Sequence, residues 1–429
     1  MSHLMVGVGQ ACITPTLGTM LAGYSPMRPA LSVHDDLQAT AFAFRTGDTT
    51  ALLVSIDMCN LYWPREELCK AITDATGIPA EHIILSCTHT HSGATAHTHH
   101  EDGVRYANTI LMPKLAEAAA AAVAALKPAL VGWGTTWSDV AINRRQIKEN
   151  GVVSLGQDPH GTWDPTMTVI SFREPDGTPI GNIIQYGCHN TASGKNDEVT
   201  RDWCGVAIDR LQAESGGVTA FINGCAGDCG PRLANGKTTA SLQQAMELGG
   251  KAAIDAVKAW RSIRRWEDVP MKVMFRELPL PLAKLGTPEE LRAQAAAMGD
   301  PETLKGQKKT ARERILLRAD WLEEGNVPAE TRSIPLVLLA LGELAICPLP
   351  FEIFSRITLR IKEFSPFEHT LVPGHSNGSY SYFPSMDQLC RGGYEVYMFH
   401  NVFPVPFADD AEQPLVQGCI DLLREFHEM

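Results

Sequence analysis

The sequence predicts an α/β protein, a mixed β-sheet core flanked by helices, as one large catalytic domain over residues 1–429. Three observations predict it. Apolar runs of strand length alternate with longer helical stretches; glycine, asparagine and histidine gather just after the apolar runs; and 44% hydrophobic with 20% charged residues suits a chain that buries a large core.

Taken in order, residues 39–44 and 50–56 read as strands, 64–76 as a helix and 82–87 as a third strand. A loop rich in His and Gly follows, then an alanine-rich helix over 104–126 and a strand over 129–134. The theme repeats with strands at 167–172, 180–187 and 218–223, the last two running into Gly, Asn, His and Cys. In open α/β sheets ligands collect where loops converge at strand ends, so these ends are site candidates. Residues 285–325 are polar and helical, with a start signal at 288–292, and predict an inserted helical hairpin. A last α/β segment runs from Ile334 to the end, with no internal repeat.

Charge and composition exclude several classes. A net charge of −12 argues against nucleic acid, whose non-specific affinity comes from clustered Lys and Arg. The one basic run, 305–318, alternates with apolar residues and reads as a solvated helix face. The opening MSHLMVGVGQACITPT lacks the pattern of a secretory signal, and no stretch approaches the ~18 apolar residues of a membrane span. The expectation is a cytoplasmic protein without stable membrane insertion; homo-oligomerisation is left open. Eleven cysteines without a CxxC pair predict reduced thiols.

Six segments carry the chemistry. SCTHTHSG (86–93) ends an apolar strand with His89 and His91, two apart and therefore on one side of an extended chain, either as metal ligands or as a hydrogen-bonded pair. The following AHTHHED adds His97, His99 and His100 beside acidic residues at a helix start, a rim position. IIQYGCHN ends a strand with His189, a metal ligand or a satisfied core histidine. FINGCAGDCGPR (221–232) makes a glycine-rich turn around Asp228, structural or anion-facing, and is no P-loop because no Gly-Lys-Ser/Thr follows. CPLPFEIF brings Glu352, and GHSNGSYSYFPSMDQLCRGGYEVY brings Tyr380, Tyr382, Tyr394 and Tyr397, phenols expected at a pocket wall.

In this order the segments resemble the N-terminal catalytic domain of the neutral and alkaline (non-lysosomal) ceramidase family, with its THTHSG loop, strand-end histidine, NxGDVSPN-like turn, Pro-Gly-Glu segment and SNxYxxYxxT stretch. The resemblance implies one zinc per chain, held by His89, His189, Glu352 and Tyr382. It places His91, Arg144 (in AINRR) and Tyr394 at the scissile bond, with Gly23 of TPTLGTMLAGY lining the cavity. Asp202 and Asp228 are candidates for orienting the imidazoles.

The implied reaction is hydrolysis of an amide by metal-activated water, with a zinc-dependent ester, lactone or phosphoester hydrolase and a non-catalytic ligand-binding relative as alternatives. Three departures point from ceramide to a small soluble acyl compound. Gly230 stands where the family has a serine, Phe351 replaces the Pro-Gly-Glu glycine and is expected to crowd the pocket, and no C-terminal β-sandwich is expected.

Overall fold

The computed structural model describes residues 3–300 and 302–429. Three sheets form its framework. The first has five strands in the order Ile83–Cys87, Thr49–Ile56, Gln38–Thr46, Met5–Cys12 and Lys127–Pro128. The second sets Val218–Asn223 parallel to Pro179–Tyr186, followed by Thr166–Arg173 and Leu130–Trp137. The third runs Met271–Pro281, Thr331–Leu341, Leu344–Ile346 and His369–Leu371. Parallel and antiparallel pairs occur together, as the mixed α/β reading required.

Side-chain alternation explains how these sheets share a core. In Gln38–Thr46, Phe42 and Phe44 point into a cluster that also holds Phe172, Ile183, Ile222, Val337 and Leu339, so all three sheets contribute. The intervening Ala41 and Ala43 point the other way, toward helices. Alanine is used there because the backbone contact is close. A Cβ on Gly7 or Gly9 would fall 2.1 and 2.2 Å from the carbonyl oxygens of Ala122 and Ala118 in helix Met112–Ala124. The alanine-rich helix and the glycine-containing strand are two halves of one packing contact.

The expected helix over 104–126 divides. Glu101–Tyr106 passes through a π turn, Ala107–Leu111, before Met112–Ala124. Pro113 lacks the N–H that a continuous α-helix needs there, and the wider turn absorbs the loss. The polar stretch near 285–325 contains two helices, Pro288–Ala297 and Gly306–Glu323, packed through Leu291, Ala295, Ile315 and Ala319. Thr287 and Glu290 form a reciprocal capping box at the first, with Pro288 in its opening turn.

All eleven cysteines are free, nine of them buried. Among the described residues no helix is long and apolar enough to cross a membrane.

Candidate metal centre

Two of the site segments leave the carboxyl ends of parallel strands. His89 follows Ile83–Cys87, and His189 follows Pro179–Tyr186. Backbone contacts then stitch the loops together. Thr90 and Asn190 form a parallel bridge, Ser86 bridges Ser376, and Glu352–Ile353 pairs in parallel with Tyr382–Phe383 so that Glu352 stands opposite Tyr382. His89 and His375 take left-handed backbone conformations, φ 69° and 50°, which few residues other than glycine adopt. Each is held by flanking hydrogen bonds: the His89 amide donates to Met58, and that of His375 to Phe351. Strain of this kind persists only where the surroundings over-determine it, and it concentrates at functional sites.

Four atoms of ligand type converge at this point. His189 Nε2 lies 3.2 Å and His89 Nε2 3.6 Å from Glu352 Oε2, and the Tyr382 hydroxyl is 3.4 Å from His189 Nε2. Ligand atoms ~2.0–2.1 Å from a tetrahedral ion stand about 3.3 Å from one another, the spacing found here. The tautomers are set by the backbone. His89 Nδ1 donates to the Cys59 carbonyl at 2.6 Å, and His189 Nδ1 to those of Ala226 and Cys229 at 2.7 and 3.0 Å. Both Nε2 lone pairs therefore face the carboxylate oxygen, which is buried without a hydrogen-bond partner.

Protonation does not relieve this crowding. Burial lowers the pKa of His89 and pushes that of His189 far below the ordinary value, so both rings are neutral. Burial opposes ionisation of Glu352 as well, yet its carboxyl is held below the usual range, with the Tyr382 hydroxyl as a hydrogen-bond donor and the Arg144 guanidinium as a nearby cation. A buried carboxylate oxygen left without a donor between two imidazole Nε2 atoms calls for a cation, and two neutral imidazoles, a carboxylate and a phenol are a donor set that fits zinc. Cys59, His89 and His91 make a second cluster of ligand type. It fits less well, because Cys59 Sγ lies 3.8 Å from His89 Nδ1, the ring nitrogen already bonded to the Cys59 carbonyl, on the side away from Glu352, which Nε2 faces.

Around this centre lies a cleft of about 500 Å³, bordered by Gly23, Cys59, Tyr62, His91, Glu352 and Tyr394 among others. His91 Nε2 is 3.2 Å from His89 Nε2, and its Nδ1 has no partner. Gly23 presses on this ring: a Cβ there would lie 2.4 Å from His91 Cγ and Nδ1. The Tyr394 phenol is pushed up to about 12 by burial and the Glu352 charge, so it keeps its proton and remains a donor. His97 stacks on Tyr62 at 3.8 Å between ring centres, while His99 is exposed, and neither belongs to a metal-type cluster.

Several expected positions differ. Phe351 does not crowd the pocket: it is buried against Phe383, Phe407 and Tyr380, with ring centres 4.7 to 5.8 Å away, because neighbours in an extended segment face opposite ways and Glu352 takes the cleft side. Gly230 also lies off the cleft, pairing with Ile142, and a Cβ on it would meet Thr238. Neither aspartate orients an imidazole. Asp202 accepts from the amides of Ala192, Ser193 and Trp203, and Asp228 from the amide and hydroxyl of Ser355, so the orienting acceptors are backbone carbonyls instead.

Arg144 is buried rather than open to the cleft. Its Nε pairs with Glu395 at 2.8 Å and its Nη2 donates to the Tyr382 oxygen at 2.9 Å. The same Glu395 binds Arg145 at 2.6 Å. Sequence reasoning missed Glu395, and also Asn60 and His375. Asn60 spans from Glu352 Oε1 at 3.4 Å to His375 Nδ1 at 3.1 Å, and the His375 ring stacks on His89 with centres 3.9 Å apart. The GHSNG glycines around His375 were the available signal.

No protein-family model and no curated protein matches this sequence. Solved structures do match in shape. Neutral ceramidase from Pseudomonas aeruginosa superposes with a TM-score of 0.75 at 20% identity, covering 100% of this chain and 75% of that one. A ceramidase complexed with C2 gives 0.73 at 17%, covering 100% and 76%. From end to end, this chain has the fold of the neutral ceramidases.

Proposed function

We propose that this chain is a zinc-dependent hydrolase that cleaves the amide bond of a compact acyl compound, with His89, His189, Glu352 and Tyr382 holding the ion. The observation that carries the reading is Glu352 Oε2, buried without a donor between two Nε2 lone pairs. A cleft of about 500 Å³ opening on it suits a small ligand. The likeness in fold to solved ceramidases supports an amide as the bond cut.

A zinc ion in this set supplies Lewis acidity and brings the pKa of water toward about 7. The chain supplies the rest. The Tyr394 hydroxyl and the His91 ring border the cleft as hydrogen-bonding groups for an acyl oxygen whose charge grows during attack. Arg144 acts one step back, donating to the Tyr382 oxygen and partly offsetting the burial that pushes this phenol's pKa up.

The direct test is release of free amine from short N-acyl substrates. Turnover is expected to stop with a chelator and return with zinc, while Cys229→Ala keeps at least about half the rate. Burial and Asp228 push the Cys229 thiol far above its ordinary pKa, so it is no nucleophile. Turnover that survives chelation but vanishes in Cys229→Ala overturns the reading.

Gly23→Ala probes the His91 wall. The new methyl group enters the imidazole ring at a position whose φ of 87° also disfavours it. With His91 displaced, kcat/KM is expected to fall about 100-fold, measured beside a circular-dichroism melt that stays cooperative.

A further inference from the structure

We infer that the substrate carries a carboxylate, and that Arg314 at the cleft mouth receives it, making the compound an N-acyl amino acid rather than a neutral amide. The inference rests on the amide-hydrolase reading above and names its substrate class.

Arg314 stands on helix Gly306–Glu323 and is the one cationic side chain of Lys or Arg type bordering the cleft among the described residues. It pairs with no carboxylate there. Its neighbours one helical turn away, Thr310, Ala311, Leu317 and Arg318, include no acid. Arg292 in the same hairpin shows the contrast, with Asp320 at 2.8 Å and Glu323 at 2.6 Å. Arg314 instead sits over the Phe403 ring, 5.8 Å from its centre, and among the described residues no hydrogen bond or ion pair engages its guanidinium.

Arg318 cannot share that task. Its guanidinium is spent on the carbonyls of His400, Val402 and Pro404, at 2.8, 2.9 and 3.0 Å, and so fixes the loop that carries Phe403. One unpaired guanidinium beside a fixed aromatic wall matches one planar monoanion, which it can grip through two parallel hydrogen bonds. In a chain of net charge −12, an unpaired cation at this mouth also opposes the general repulsion of anions. Met398 and Phe403, each 39% exposed, give the same mouth an apolar surface for the rest of an amphiphilic acid.

The chemistry balances without a further reactant. Water adds oxygen to the acyl carbon, the C–N bond breaks, and the nitrogen takes a proton, giving a fatty acid and a free amino acid.

N-hexanoylglycine and N-hexanoylethanolamine, similar in size and different in charge, form the test pair. The zinc-loaded protein is expected to favour the glycine conjugate by about 10- to 100-fold in kcat/KM, through KM, with the advantage shrinking as salt rises. Arg314→Gln should bring the ratio to about one, and Arg314→Lys should restore part of it, with metal content unchanged in both. Equal rates in the unaltered protein, or a preference that survives Arg314→Gln, overturn the inference. If neither amide is cut, the hydrolase reading fails by itself. Calorimetric binding of the same pair then decides: selective binding lost in Arg314→Gln upholds the carboxylate site, and equal binding overturns it.

Discussion

His89→Ala and His189→Ala are each expected to take the protein from one zinc per chain to almost none, and kcat/KM down by roughly 1,000-fold or more. Each removes a neutral Nε2 aimed at Glu352 from a centre with few other donors. The Lewis acid is worth several kcal/mol of barrier, and each ~1.4 kcal/mol is tenfold. Elemental analysis of dialysed protein beside kinetics gives both numbers. His99→Ala and His100→Ala, which alter the rim, should leave the metal in place. Zinc that remains in both inner variants and leaves with His100 would show that the centre lies elsewhere.

Glu395→Ala is expected to destabilise the fold by about 3–5 kcal/mol, because it strands two buried guanidiniums at once. Arg144, Arg145 and Glu395 have side chains only 7%, 3% and 1% exposed, and among the described residues neither arginine has another carboxylate partner. Urea unfolding at neutral pH reads the effect as a shift in midpoint at constant slope. Activity in the surviving folded fraction should fall as well, since Arg144 would no longer be held on the Tyr382 oxygen. A loss below about 1 kcal/mol would mean that water screens the cluster.

The parts of this molecule legible in its sequence are those written locally. Apolar strands ending in histidine mark His89 and His189, and the turn-rich stretch with spaced phenols marks the Tyr382 and Tyr394 wall. Glu395 and Asn60 were invisible for the opposite reason. Glu395 reads as an ordinary helix glutamate until Arg144 and Arg145, 251 and 250 residues earlier, arrive beside it. The Phe351 expectation failed at the scale of one residue: a ring next to Glu352 in sequence was placed next to it in space, where strand alternation separates them. Asp228 failed similarly, because a carboxylate near a glycine turn can serve the turn's own frame, as its bonds to Ser355 show.

The stitched loops have a kinetic consequence. Asn60 and His375 meet across 315 residues of chain, and Tyr382 and His189 across 193. Closing spans of that length costs entropy before any contact repays it, so topologies of this kind fold slowly and their longest-range contacts come late. In the proposed zinc reading, no contiguous fragment ending before Glu352 contains the carboxylate, and an ion would have nothing complete to bind until the last segments dock. Metal uptake during refolding is then a clock for the final step, running behind the signal from the helices and sheets.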